Sequence, residues 1–110
     1  MKRQMPPAHP GEILMEDFLK PMGMTQYKLA KSMGVSQRRI GEIIAGKRSI
    51  TADTALRLAR VFGTDAQSWM NLQTHYDLAV AEERLSGRLE KEVTVHAEIR
   101  HARGEVAEGR

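Results

Sequence analysis

Cysteine is absent from the 110 residues. That excludes a disulfide framework and a thiolate metal site, and nothing argues for an oxidising compartment. No segment approaches the ~18 consecutive apolar residues of a membrane span. The opening stretch MKRQMPPAHP holds no apolar run of the signal-peptide kind, so the chain is expected in the cytoplasm, with no membrane partner. There is no glycine-rich loop to cradle a phosphate. The four histidines, His9, His75, His96 and His101, do not cluster; the last two are five apart, wrong for one helix face and on opposite faces of a strand. No metal site is expected. Glu82, Glu83, Glu90 and Glu92 read as solvated charges, not paired acids. With no catalytic constellation left, neither an enzyme nor a cofactor is expected. Internal repeats and low-complexity blocks are missing too.

What is present is charge in one place. The chain as a whole carries only +3, with a pI near 9.5. Between Met22 and Ile50, however, lie Lys28, Lys31, Arg38, Arg39, Lys47 and Arg48, against the single acid Glu42. A clustered positive field is the footprint of a nucleic-acid partner. A solvated helix face is the plainer reading of a charge run. It is the weaker one here because of the motif on which these charges sit.

That motif runs from Thr25 to Arg48. Leu29, Ala30 and Met33 share one helix face, and so do Ile40, Ile43 and Ile44. Thr25 and Ser36 are N-cap residue types at the two starts. Gly34 stands at the turn between them, where a positive φ costs glycine nothing. Ala30 is small where two helices cross, and Val35 plugs the corner. This is the spacing of a helix-turn-helix. A length of 110 residues suits one domain, able to bury about two-thirds of its unfolded surface.

The stretch resembles the helix-turn-helix of the phage repressor/Cro (XRE-like) family. That pattern has a small residue, a glycine four later, and apolar residues six and nine after the glycine: Ala30, Gly34, Ile40 and Ile43. More narrowly, HPGEIL, GKRSITADTALRLARVFGT and WMNLQ, in this order over roughly residues 9 to 78, resemble HigA-type antitoxins. The resemblance implies an all-α, five-helix repressor-like domain. It also implies a protein that binds a small basic, RelE-like ribonuclease toxin and represses the operon encoding both.

In chain order, residues 1–8 are expected as an N-terminal arm, with Lys2 and Arg3 free to reach a partner. Residues 9–85 form the helix-turn-helix domain. Pro10 suits the first position of the first helix, Ile13, Leu14, Phe18 and Leu19 its buried stripe, and Pro21 with Gly23 its end. Gly46 suits the position after the third helix. Thr51 caps the fourth, whose inner face is Ala55, Leu58, Ala59 and Phe62. Thr64 and Gln67 form a capping-box pair for the fifth. Residues 86–110 are a tail, in which Val93, Val95, Ala97 and Ile99 alternate with polar residues. That is a period-2 pattern, predicting a short strand over 93–99, with a helix as the alternative over so short a run.

The fifth helix is apolar on more than one side, and such a helix needs a second surface to bury against. Trp69, Leu72, Tyr76 and Val80 are therefore read as a homodimer interface, with plain core filling as the alternative for Trp69. A two-fold dimer sets two recognition helices about 34–36 Å apart, so that they read an inverted repeat in a double-stranded DNA operator.

The second helix of a helix-turn-helix meets base edges with its N-terminal part. Gln can bind adenine, and Arg guanine, through two hydrogen bonds. Gln37 and Arg38 are the expected base-readers, with Gly41 allowing close approach. Thr25, Gln26, Ser36, Arg39, Lys47 and Arg48 are the expected phosphate contacts. For Lys47 and Arg48, compensation of the negative helix end is a compatible second role. Two other readings use the same fold: a repressor without a toxin, and an adaptor that binds protein.

Overall fold

A computed structural model describes residues 7–96, which form six helices. We number them α1 (Pro10–Ile13, Leu14–Leu19 and Lys20–Met22, one continuous rod), α2 (Gln26–Met33), α3 (Gln37–Ile44), α4 (Ala52–Phe62), α5 (Ala66–Arg84) and α6 (Leu89–Glu92). The middle stretch of α1 is wound as a π-helix. Pro21 gives the physical reason. Its ring presses on the carbonyl four residues back and it has no N–H to donate; a wider preceding turn accommodates both. The helix therefore passes through Pro21, one of the two residues expected to end it, and stops at the other, Gly23, with φ 64°.

One core joins α1 to α5. Leu14, Leu19, Leu29, Ile40, Ile43, Ile50 and Leu58 are almost completely buried, each worth about 2 kcal/mol of apolar burial. Ile13, Phe18, Ala59 and Phe62, expected inside, are half-buried. Trp69 is buried within the chain, its ring 5.1 Å from that of Phe18. This corrects its assignment to a dimer surface: a side chain 2 % exposed has little left to offer a partner. Its Nε1 donates to Thr64 Oγ1 at 2.9 Å. Thr64 is thereby taken out of the expected capping box, and Asp65 caps α5 instead, accepting from the Ser68 N–H at 2.7 Å.

The expected caps Thr25, Ser36 and Thr51 all form. Unexpectedly, His9 caps α1: its Nδ1 accepts from the Gly11 N–H at 2.9 Å. The ring also meets Tyr76 of α5 edge-on, 4.9 Å between centroids. Burial lowers the imidazole pKa from its ordinary 6.5, a fall that the Asp77 carboxylate partly offsets. Only the neutral ring can accept, so protonation removes the cap. The sign follows: His9's contribution is complete above the unfolded pKa and is lost as pH falls through the lower folded value. Thermal melts at about pH 7 and about pH 5 should show a drop for the wild type and a smaller one for His9→Asn, which caps without titrating. An equal drop for both sinks the idea.

The strand predicted for 93–99 does not form over its described part. Residues 93–96 carry no regular structure, and 97–99 lie outside the described residues. α6 ends at Glu92, and Val93 and Val95 are 58 % and 63 % exposed. Alternation marks a half-buried strand only if a neighbouring strand pairs with it, and the described residues contain none. Residues 1–6 of the expected arm and 97–110 of the expected tail also lie outside the described residues.

Candidate nucleic-acid interface

α2 and α3 are joined at Gly34, whose φ of 72° places it in the left-handed region. The turn closes with Val35 N–H donating to the Ala30 carbonyl at 3.1 Å and Gly34 N–H to Lys31 at 3.2 Å. These bonds satisfy carbonyls that the end of α2 would otherwise leave open. One more, on Met33, accepts from Arg57 Nη1 of α4 at 2.8 Å.

Arg57 belongs to a strut that sequence reading missed. Asp53 Oδ1 accepts from Arg57 Nε and from Arg39 Nη2, both at 2.8 Å. Arg39 Nη2 also donates to Thr54 Oγ1 at 2.6 Å. Hydrogen bonds from Arg57 and then Arg39 hold the Asp53 carboxyl below its ordinary range. One carboxylate thus ties the end of α2 and the start of α3 to the first turn of α4. Arg39, expected to reach phosphate, instead braces α3 against α4. Its side chain is 24 % exposed, and its Nη2 is held by Asp53 and Thr54, while its buried Nε has no hydrogen-bond partner among the described residues. The i,i+4 spacing of Asp53 and Arg57 was a visible signal for half of the strut. The Arg39 half spans 14 residues and left none.

The outer flank of α3 is different. Gln37 is exposed, and its side chain has no hydrogen bond within the described residues. Arg38 is 86 % exposed, with Nε donating to Glu42 Oε2 at 3.0 Å. Arg48, in the turn after α3, donates to Glu42 Oε1 through Nε at 2.9 Å and Nη2 at 2.7 Å. Hydrogen bonds from Arg48 and then Arg38 lower the Glu42 pKa. Lys47 is exposed beside them, its N–H on the Glu42 carbonyl. Gly41 faces Gln26 of α2: a Cβ built there would lie 3.5 Å from Gln26 Oε1. Thr25 and Ser36 are exposed at the starts of α2 and α3, their hydroxyls accepting from Lys28 N–H and Arg39 N–H. The structure thus gathers Arg38, Glu42 and Arg48, and sets Gln26 against Gly41, while turning Arg39 aside.

A family model described as "Helix-turn-helix" matches residues 15–69. The chain belongs to the helix-turn-helix family. Among the similar proteins, virulence-associated protein I of Dichelobacter nodosus is 61 % identical over 82 residues, spanning 74 % of this chain and 76 % of that protein. Two solved members are also similar. An addiction module antidote protein of the HigA family from Coxiella burnetii is 47 % identical, with a TM-score of 0.78 over 84 % of this chain and all of that one. The Pseudomonas aeruginosa antitoxin HigA, solved with the higBA promoter, is 42 % identical, with a TM-score of 0.77 over 80 % of this chain and 96 % of that one.

Of the other expected site residues in this helix-turn-helix protein, Leu72, Tyr76 and Val80 are half-buried on α5, while Leu78 beside them is 60 % exposed. No helix of the described residues is long and apolar enough to cross a membrane, and they contain no group of three His, Cys, Asp or Glu placed to hold a metal ion.

Proposed function

We propose that the protein is a HigA-type antitoxin, acting in the cytoplasm, that binds its own operator as a homodimer and neutralises a small basic, RelE-like ribonuclease. The observation that carries the DNA half is the outward flank of α3: Gln37 and Arg38 are exposed at the end of the helix that this fold presents to the major groove. Similarity to an antitoxin solved with its promoter supports it. In this reading Gln37 and Arg38 read bases. Gly41 lets the helix approach closely, and Thr25, Gln26, Ser36, Lys47 and Arg48 hold phosphates. Leu72, Tyr76 and Val80, with exposed Leu78, line the dimer face. Residues 9–85 act as the DNA-binding unit.

A salt titration of operator and random duplex tests the site. Alanine at Gln37 or Arg38 is expected to weaken operator binding about tenfold, with a smaller loss on random DNA. Lys47→Ala and Gln26→Ala should weaken both duplexes alike, and for the lysine the salt slope should fall by about one unit. Equal losses on both duplexes for Gln37→Ala would move the reading face elsewhere. Sedimentation as a monomer at micromolar concentration counts against the dimer. The toxin half is tested by co-expressing and co-purifying the product of the adjoining gene. If the two neither associate nor neutralise, the chain is a stand-alone repressor. If wild type binds no duplex at all, it is an adaptor.

A further inference from the structure

We infer that Glu42 is a specificity-determining residue: by holding Arg38 and Arg48 together on the outer flank of α3, it weakens binding to arbitrary DNA more than binding to the operator. The inference rests on the DNA-binding reading above.

Three observations lead to it. First, Glu42 is the only acid in a run of six bases between Met22 and Ile50, a place where an antitoxin that merely needed affinity would have no use for one. Second, it is fully engaged. Oε2 accepts from Arg38 at 3.0 Å and Oε1 from Arg48 at 2.7 and 2.9 Å, so both oxygens point at the arginines that face a DNA partner. Third, the grip on Arg38 is partial. Glu42 takes only Nε, and the two terminal nitrogens of the guanidinium make no hydrogen bond among the described residues, on a side chain that is 86 % exposed.

The chemistry of the two DNA acceptors then separates them. Guanine presents two neutral acceptors, O6 and N7, which a guanidinium can meet with its terminal pair. Arg38 can do this without releasing Glu42. A phosphate is an anion. It competes with the carboxylate for the same cation and is repelled by it, so each arginine turned to phosphate must first give up part of its ion pair. Binding to random sequence is almost wholly phosphate contact, whereas operator binding adds base edges. The acid therefore penalises the first more than the second. It also holds Arg38 in one orientation before DNA arrives, so that less side-chain freedom is lost on reading the base.

The test uses full-length wild type, Glu42→Gln and Glu90→Gln, with anisotropy titrations at several salt concentrations on the native operator and on a random duplex. Glu90 is an exposed acid on α6, remote in sequence from the basic patch, and its substitution makes the same change in net charge. Glu42→Gln is expected to tighten random-duplex binding about fivefold per recognition helix and to steepen its salt slope by about 0.9 for each phosphate gained. Operator binding should shift less, so the ratio of the two affinities falls. Glu90→Gln should leave that ratio unchanged. A ratio that Glu42→Gln leaves the same or raises overturns the inference, and so does an equal fall for Glu90→Gln, which would reveal a general charge effect. Failure of wild type to bind either duplex is a different result. It removes the DNA reading itself, and the role of Glu42 with it.

Discussion

Gly11→Ala is expected to destabilise the protein by about 3 kcal/mol or more, read as a lowered midpoint in urea. A Cβ at Gly11 would sit 1.8 Å from the Ile43 carbonyl oxygen, 2.6 Å from its carbon and 2.9 Å from the Ile44 Cα. All three are backbone atoms, so no rotamer change relieves the overlap. α1 and the end of α3 would have to separate. Because α3 carries the proposed reading face, operator affinity should fall together with stability. Gly41→Ala is the contrast. It lies in α3 itself, but its Cβ would make only ordinary contact, 3.5 Å from Gln26 Oε1. Alanine there should stabilise the helix by roughly 0.5–1 kcal/mol. Two helical glycines are thus expected to respond with opposite signs, and the sequence does not distinguish them. A Gly11→Ala midpoint at or above that of wild type would mean that the crossing has slack.

The parts of the fold that were legible in the sequence are local. Gly34, the caps Thr25, Ser36 and Thr51, and the face shared by Ile40 and Ile43 rest on partners within about one helical turn, and such patterns survive in a linear reading. What was not legible depends on distant partners. Arg39 looks like one more surface cation until Asp53 and Thr54 are brought to it from 14 and 15 residues away. Trp69 looked like surplus apolar surface because nothing in the sequence places Phe18 and Phe62 beside it. The Val93–Val95 alternation is real, but it states a need for a neighbouring strand without supplying one. The site divides along the same line. The outward flank of α3 followed from helix geometry, whereas the bond from Arg48 to Glu42 crosses a turn whose path could not be foreseen.

The same distinction explains what the three sequence blocks that resemble HigA-type antitoxins do in this chain: each forms a joint. HPGEIL supplies the His9 cap and the Gly11 crossing. The second and third meet through Gln73, the last residue of WMNLQ, which is buried at 4 % exposure. Its Oε1 accepts from the Ile50 N–H at 2.7 Å, and its Nε2 donates to Asp77 Oδ1 at 2.9 Å. Ile50 is itself buried, so no water stands ready to replace that acceptor.

Gln73→Leu should therefore cost about 3 kcal/mol, near the upper end for a buried donor left unsatisfied, although the apolar volume is nearly preserved. Asp77 is exposed and returns to water, so the loss falls on Ile50. The segment between α3 and α4 loses its anchor to α5, and it carries Lys47 and Arg48. Binding to operator and to random duplex should weaken together, unlike the selective effect expected at Gln37. Gln73→Glu separates hydrogen bonding from packing. A carboxylate still accepts from Ile50 but cannot donate to Asp77, and the two acids repel. Burial and that repulsion raise the new acid's folded pKa above its unfolded value, so its penalty is present at neutral pH and eases as pH falls, when the protonated acid can donate as glutamine does. The leucine variant should show no such recovery. If it instead melts within about 0.5 kcal/mol of wild type, the Ile50 N–H has found another acceptor, and Gln73 is not the joint between these two blocks.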